Sequence, residues 1–132
     1  MTAPHTFTLT LDLGPGSWIT ANDRMHWARK AKITARIRAA SAGLALAAGL
    51  PRRLGHVHVT VHVHGRTNGR MDPANAYPTV KAAIDGLTDY GVWPDDDDKH
   101  LDGPDMRRGA PATDLPKGWH RLTFTIIEGA DQ

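Results

Sequence analysis

Phe7, Leu9 and Leu11 alternate with Thr6, Thr8 and Thr10, and this period of two predicts a half-buried strand. Gly14-Pro15-Gly16 ends it. The period then changes. Ile33, Ile37, Leu44 and the alanines between them form a narrow apolar stripe at helical spacing. Asn22 or Asp23 is placed to cap a helix beginning near Met25 and running to Ala48, with Gly49 as its stop and Pro51 beyond. Arg29, Lys32 and Arg36 share another face of that helix, at i, i+3 and i+7. Residues 55–64 return to alternation: Val57, Val59, Val61 and Val63 point one way, and His56, His58, Thr60, His62 and His64 the other. A polar loop over 65–77 leads to a second helix over 78–89, with Pro78 in its first turn and Val80, Ile84 and Leu87 on its apolar side. Gly91 ends that helix. A short extended piece near 99–101, a loop-rich stretch over 103–118 and a strand over 122–126 complete the chain. The order β-α-β-α-(short β)-β predicts one α+β domain, a mixed sheet of about four strands packed against two main helices.

Size and composition fit this reading. A chain of 132 residues suits one domain and buries roughly two thirds of its unfolded surface. Cysteine is absent, which excludes disulfides, zinc-thiolate sites and thiol nucleophiles and suits a reducing cytoplasm. Residues 1–10 have no basic start and their apolar positions alternate, so no secretory leader is expected. The most apolar stretch, 43–50, is too short to cross a bilayer. A soluble cytoplasmic protein with no membrane attachment is expected. Net charge is only +2, yet residues 24–70 carry ten Lys or Arg and no acid, while twelve acids and six bases follow from 71 onward. Such a one-sign block is a candidate polyanion-binding face, or an ordinary helix surface whose charge is balanced on folding.

The acids bracket the second helix. Asp72 precedes it and Asp95, Asp96, Asp97 and Asp98 follow it. A helix of about a dozen residues spans roughly 18 Å, so the two groups meet only if the flanking segments fold back. The segments around Met71 and Trp93 are long enough to run as neighbours. Two carboxylates about 4 Å apart repel by ~1 kcal/mol even in bulk water, and a bound cation relieves that. Hard oxygen donors suit Mg²⁺ or Mn²⁺, ions that align a phosphodiester and activate water. The run also reads as a solvated acidic turn. Asp-Asp-Asp-Asp-Lys is a familiar cleavage-tag sequence, but its place after an amphipathic helix argues against a scar. His56, His58, His62 and His64 share a strand face, able to bind Zn²⁺ or Ni²⁺ or to form a partly exposed face at a dimer contact.

Three ordered segments carry a resemblance. Arg70-Met71-Asp72-Pro73-Ala74-Asn75, then Lys81-Ala82-Ala83-Ile84-Asp85-Gly86-Leu87, then Gly91-Val92-Trp93-Pro94-Asp95-Asp96 resemble the RusA family of crossover-junction endonucleases. That family shows a basic-basic-Asp-x-Asp-Asn segment, a Lys-Ala-Ala-x-Asp-x-Leu helix and a Gly-x-Trp-x-Asp-Asp turn. Asn22-Asp23-Arg24-Met25-His26-Trp27 also looks like its N-terminal loop, so the similarity spans about residues 20–98. The resemblance implies a homodimer that resolves four-way (Holliday) DNA junctions by paired nicks, using Mg²⁺, with Mn²⁺ as a substitute. Such resolvases are common in phage and prophage genomes, and they serve DNA recombination and repair.

Carried over residue by residue, Asp72 matches the first motif aspartate, Asp95 and Asp96 the pair after the tryptophan, Asn75 the motif asparagine and Lys81 the helix lysine. The implied catalytic set is Asp72, Asp95, Asp96 and Lys81, with Asp72, Asp95, Asp96 and Asn75 as metal ligands and a metal-activated water as nucleophile. Arg29, Lys32, Arg36, Arg66, Arg70, Arg107 and Arg108 are the candidate DNA contacts. Two departures stand out. Ala74 replaces the second motif aspartate, and the spacing from Asn75 to Lys81 is three residues longer than the family pattern. Asp97 and Asp98 are candidates to replace the lost ligand. Rival readings are a branched-DNA-binding protein of this fold with weak or no cleavage, a nuclease preferring flaps or other branched DNA, and a protein-interaction module with an acidic docking turn.

Overall fold

Alternation in the strands produces the sheet. In the computed structural model, which describes residues 5–129, β1 (His5–Leu13) buries Leu9, Leu11 and Leu13. The next strand, β2 (Val57–His64), buries all four of its valines. After β3 (Leu101–Arg108), β4 (His120–Glu128) buries Leu122, Phe124 and Ile126. These side chains share one cluster with Ile33 and Ile37 of α1 (Trp27–Ala48) and Val80, Ala83, Ile84 and Leu87 of α2 (Tyr77–Tyr90). Burial of each large apolar side chain stabilises the fold by about 1.5–3 kcal/mol. The opposite sheet positions, Thr8 and Thr10 of β1 and His58, Thr60, His62 and His64 of β2, stay exposed or half-buried. Of the ten residues read for a leader, the first four lie outside the described part.

The sheet order is β1-β4-β2-β3. β4 pairs antiparallel with both β1 and β2, whereas β2 and β3 run parallel. Parallel neighbours need a crossover, and α2 supplies it. The described residues thus form a mixed four-stranded sheet with two α-helices, an α+β fold. No helix among the described residues is long and apolar enough to cross a membrane.

The helices meet through small residues. The Ser41 hydroxyl donates to the Ala83 carbonyl at 2.7 Å. A Cβ on Gly86 would stand 2.2 Å from the Arg38 carbonyl oxygen, so only glycine permits this approach. Ser41 and Ala45 therefore complete the buried stripe of α1, and Leu44 is only half-buried.

Four expectations need correction. α1 begins at Trp27, and its cap is His26, whose ring accepts from the Ala28 amide at 3.1 Å; Asp23 instead accepts from the Thr20 amide at 2.8 Å. β2 begins at Val57 because the Gly55 amide is taken by the Glu128 carboxylate at 2.7 Å. α2 runs from Tyr77 to Tyr90, one residue longer at each end than 78–89. The largest error concerns β3. The short piece near 99–101 and the first part of the 103–118 loop are one strand, Leu101–Arg108. It is an edge strand with Gly103-Pro104 inside it and a register shift opposite His58 to Thr60, so it shows no alternation.

Candidate active site

The acidic turn folds back along α2. Gly91, at φ 102°, stops the helix. The amides of Arg53 and Leu54 then hold the carbonyls of Gly91 and Val92 at 2.8 Å. Trp93 is fully buried and its indole N–H donates to the Thr88 hydroxyl at 2.7 Å. The Trp93 segment therefore lies beside residues 53–54, which is a different neighbour from the expected Met71 segment. This anchoring carries Asp96 to the Lys81 ammonium, fifteen positions earlier in the chain. Lys81 is nine residues before the last residue of α2, so the return covers roughly 13 Å of helix.

Lys81 also donates to Asp85 at 2.9 Å. Burial disfavours its charge, but the hydrogen bonds it donates to two carboxylates outweigh that and hold it firmly protonated. The Lys81 hydrogen bond likewise keeps Asp96 below the usual carboxylate range, against a smaller opposing effect of burial. The rest of the acidic run is partly spent on the turn. Asp95 accepts from the Asp96 amide at 2.8 Å, and Asp97 accepts from the Lys99 amide at 3.2 Å and pairs with His100 at 2.7 Å. Aspartates satisfy backbone amides in tight turns, which explains part of their density. Asp98 is exposed.

Asp72 sits elsewhere along the same helix start. It caps the 3-10 turn Pro73–Ala76, accepting from the Ala74 amide at 3.1 Å, and is exposed. It lines a cleft of about 500 Å³ with Trp18, Thr20, Arg70, Asn75 and His120. Two ties shape this cleft. The buried Thr79 hydroxyl accepts from the Ile19 amide at 2.8 Å and donates to the Ile19 carbonyl at 2.7 Å, and the Ala21 amide donates to the Asn75 carbonyl at 2.9 Å. The Trp18 and His120 rings stack at 4.1 Å and 6°. Burial lowers the His120 pKa.

Asp96 and Lys81 line a smaller hollow of about 70 Å³ with Tyr77, Leu101 and Pro104. Ala76 lines the first cleft and Tyr77 the second, so the beginning of α2 partitions them. The structure therefore unites Asp96, Lys81 and Asp85 on one side, and Asp72 with Asn75 on the other. Among the described residues no three His, Cys, Asp or Glu side chains are grouped to hold a metal ion. The donors still suit Mg²⁺, which takes one or two carboxylates and completes its shell with water and substrate phosphate. Asp72 has one oxygen beyond its cap bond, and Asn75, whose side chain carries a carboxamide oxygen, lines the same cleft.

The candidate cations are dispersed. Arg29 and Lys32 are exposed on α1, and Arg36 donates to the Gly16 carbonyl. Arg66 and Arg70 share a hollow of about 210 Å³ with His120, although Arg66 also donates to the Leu115 carbonyl at 3.0 Å. Arg107 is paired with Asp105 at 3.0 and 3.1 Å, and Arg108 donates to the Gly69 carbonyl at 2.5 Å. A hollow of about 590 Å³ near Arg52, Arg53 and Trp93 contains no acid. Three of the four histidines on the strand face contact adjacent segments: His56 lies 3.2 Å from the Lys99 carbonyl, His58 pairs with Asp102 at 3.0 Å, and His64 contacts the Ala110 carbonyl at 2.8 Å and Thr123 at 2.9 Å.

Asp85, Trp18, Thr20 and His120 are additions to the expected site. Asp85 was readable in principle, four residues after Lys81 on one helical face. Trp18 and His120 carry no local signal, because their meeting depends on β1 pairing with β4 through Leu13 and His120. The sequence matches no known-family model and no curated protein.

Proposed function

We propose that the chain is a RusA-like, metal-dependent endonuclease acting on branched DNA, with four-way junctions as its principal substrate. The observation that carries the reading is the return of Asp96 to Lys81 beside the start of α2, where Asp72 and Asn75 line the adjoining cleft. Both features of the motif resemblance, acid before the helix and acid after it, thereby come to the same end of one helix.

Asp72 and Asn75 would hold Mg²⁺ or Mn²⁺; Asp96 would act from the neighbouring hollow across the start of α2, and Asp95, which lines neither hollow, enters only through the motif resemblance. Bound there, such an ion polarises a phosphodiester and lowers the pKa of its water. Lys81 contributes a fixed positive charge, and a phosphate oxygen replacing one of its two aspartates would be neutralised by the same ammonium. Arg66 and Arg70 take neighbouring phosphates. Thr79 keeps the Trp18 wall in position through Ile19. A cytoplasmic homodimer with two-fold symmetry would offer one such site to each of two strands, matching paired nicks.

A second reading, binding of branched DNA without cleavage, is favoured by two observations: Ala74 supplies no ligand, and Lys81 already engages Asp96. The test compares a labelled four-way junction, a flap and a plain duplex in Mg²⁺, in Mn²⁺ and in EDTA. Metal-dependent nicks at symmetric positions in the junction support the endonuclease. Junction binding with no cut in either metal establishes the second reading, and stronger flap cleavage reassigns the substrate.

A further inference from the structure

We infer that the cleft beside Asp72 receives one unstacked nucleobase of the bound DNA strand, an assignment that rests on the endonuclease reading and deepens it. One wall is aromatic and rigid. Trp18 and His120 lie parallel at 4.1 Å, and burial keeps the imidazole from protonating as readily as a free one. Each ring covers one face of the other, so the outer face of the pair is the π-surface on which a base would stack, without regard to sequence.

Hydrogen-bonding capacity open to a ligand lies on the Asn75 side of the cleft, because the His120 Nδ1, which has no partner among the described residues, is itself buried. Asn75 uses its backbone N–H on Asp72 and its carbonyl on Ala21, yet its side-chain carboxamide makes no hydrogen bond among the described residues. With its oxygen assigned to the cation, the Asn75 carboxamide keeps its NH2 group as a donor for an acceptor on a base edge. The cleft volume, about 500 Å³, lies within the range of small-molecule sites.

Charge next to the cleft selects a nucleotide. Arg70 lines both this cleft and the adjoining hollow of about 210 Å³, where Arg66 also stands. A strand whose base enters the cleft can lay its phosphate along these two guanidinium groups. A base inside a duplex has both faces covered, so contact with Trp18 requires it to leave the stack. That step is easiest for bases already unpaired or strained, as at a branch point.

The experiment uses four-way junctions with 2-aminopurine placed in turn at each position near the crossover, bound in EDTA. Fluorescence at one symmetric position should rise several-fold with the wild-type protein. Trp18→Leu, which keeps apolar bulk without the aromatic face, should remove the rise while junction affinity falls by no more than about tenfold; Trp18→Phe should keep it. Circular dichroism confirms that each variant is folded. The inference is overturned if no position brightens, or if Trp18→Leu brightens like wild type. A free-nucleotide arm separates the sources: dAMP shifting the Trp18 indole NMR signal as tightly as the strand does would make this a mononucleotide site and overturn the strand assignment. Brightening without any Mg²⁺-dependent cut defeats the endonuclease reading alone, and cutting without brightening defeats the base pocket alone.

Discussion

The Lys81 ammonium grips Asp96 across fifteen positions of chain while holding Asp85 one helical turn away at 2.9 Å. This pairing brings the end of the α2 turn back to the first half of the helix. Removing the cation leaves two adjacent carboxylates without the ammonium that they share, and the nearby Arg38 is already hydrogen-bonded to Asp89. Lys81→Met should therefore reduce Mg²⁺-dependent junction cleavage by at least about a hundredfold, in line with loss of a charge at a developing phosphate oxygen. Cleavage rates at saturating protein, with folding checked by circular dichroism, decide the matter.

The same pair makes a pH prediction. Asp96 is held below its ordinary pKa in the folded state, chiefly by the Lys81 hydrogen bond. Its contribution is fully present above the unfolded carboxylate range, near pH 4, and is lost as pH falls through the lower folded value. Wild type should thus exceed Asp96→Asn in urea midpoint at pH 7, and the difference should shrink below about pH 4. A gap that widens in acid would contradict the pairing.

Gly86 tests the helix contact that carries Lys81 and Asp85. A methyl group at this position meets the Arg38 carbonyl at 2.2 Å and the Ser41 Cβ at 2.9 Å, both too close to keep. Gly86→Ala should destabilise the protein by about 1–3 kcal/mol through overpacking, even though alanine favours helices. Thermal melting reads this directly.

Thr79 tests how the cleft wall is held. Thr79→Val removes both bonds to Ile19 and leaves its buried amide and carbonyl unpaired, at a cost of about 1–3 kcal/mol. Thr79→Ser keeps the hydroxyl and should lose far less. Equal melting temperatures for the two variants would show that the clip contributes nothing.

The legible part of the fold was the part with a regular period. The valines of β2 and the leucines of β1 announced which face is buried, and Gly49 and Gly91 marked both helix ends. β3 was missed because Leu101-Asp102-Gly103-Pro104-Asp105-Met106-Arg107-Arg108 is an edge strand whose two apolar residues, Leu101 and Met106, do not alternate, and which is paired on one side only by β2. In the site, Asp72, Asp95 and Asp96 stood out as acids bracketing α2, whereas Asn75 and Lys81 were marked only by the motif resemblance. The partition between Asp72 and Asp96 did not, since it depends on the 3-10 turn Pro73–Ala76 that precedes the helix. Nor did the stack of Trp18 on His120, which only strand pairing creates.

The cations differ in how much charge remains to meet DNA. Arg70 lines the cleft, whereas Arg107 is already paired with Asp105. Each phosphate contact contributes about one unit to the slope of log affinity against log salt. Arg70→Gln should lower that slope by about one, and Arg107→Gln by much less. Matching slopes for these two variants would remove Arg70 from the DNA path.

The central claim is that Asp72 and Asp96, though lining separate hollows, serve one reaction. Junction cleavage in Mg²⁺ by wild type, Asp72→Asn, Asp96→Asn and the double variant tests it most directly. Residues acting as a unit are non-additive, so each single change should abolish most cleavage and the double variant should be little worse. Wild-type cutting by either single variant would contradict the account.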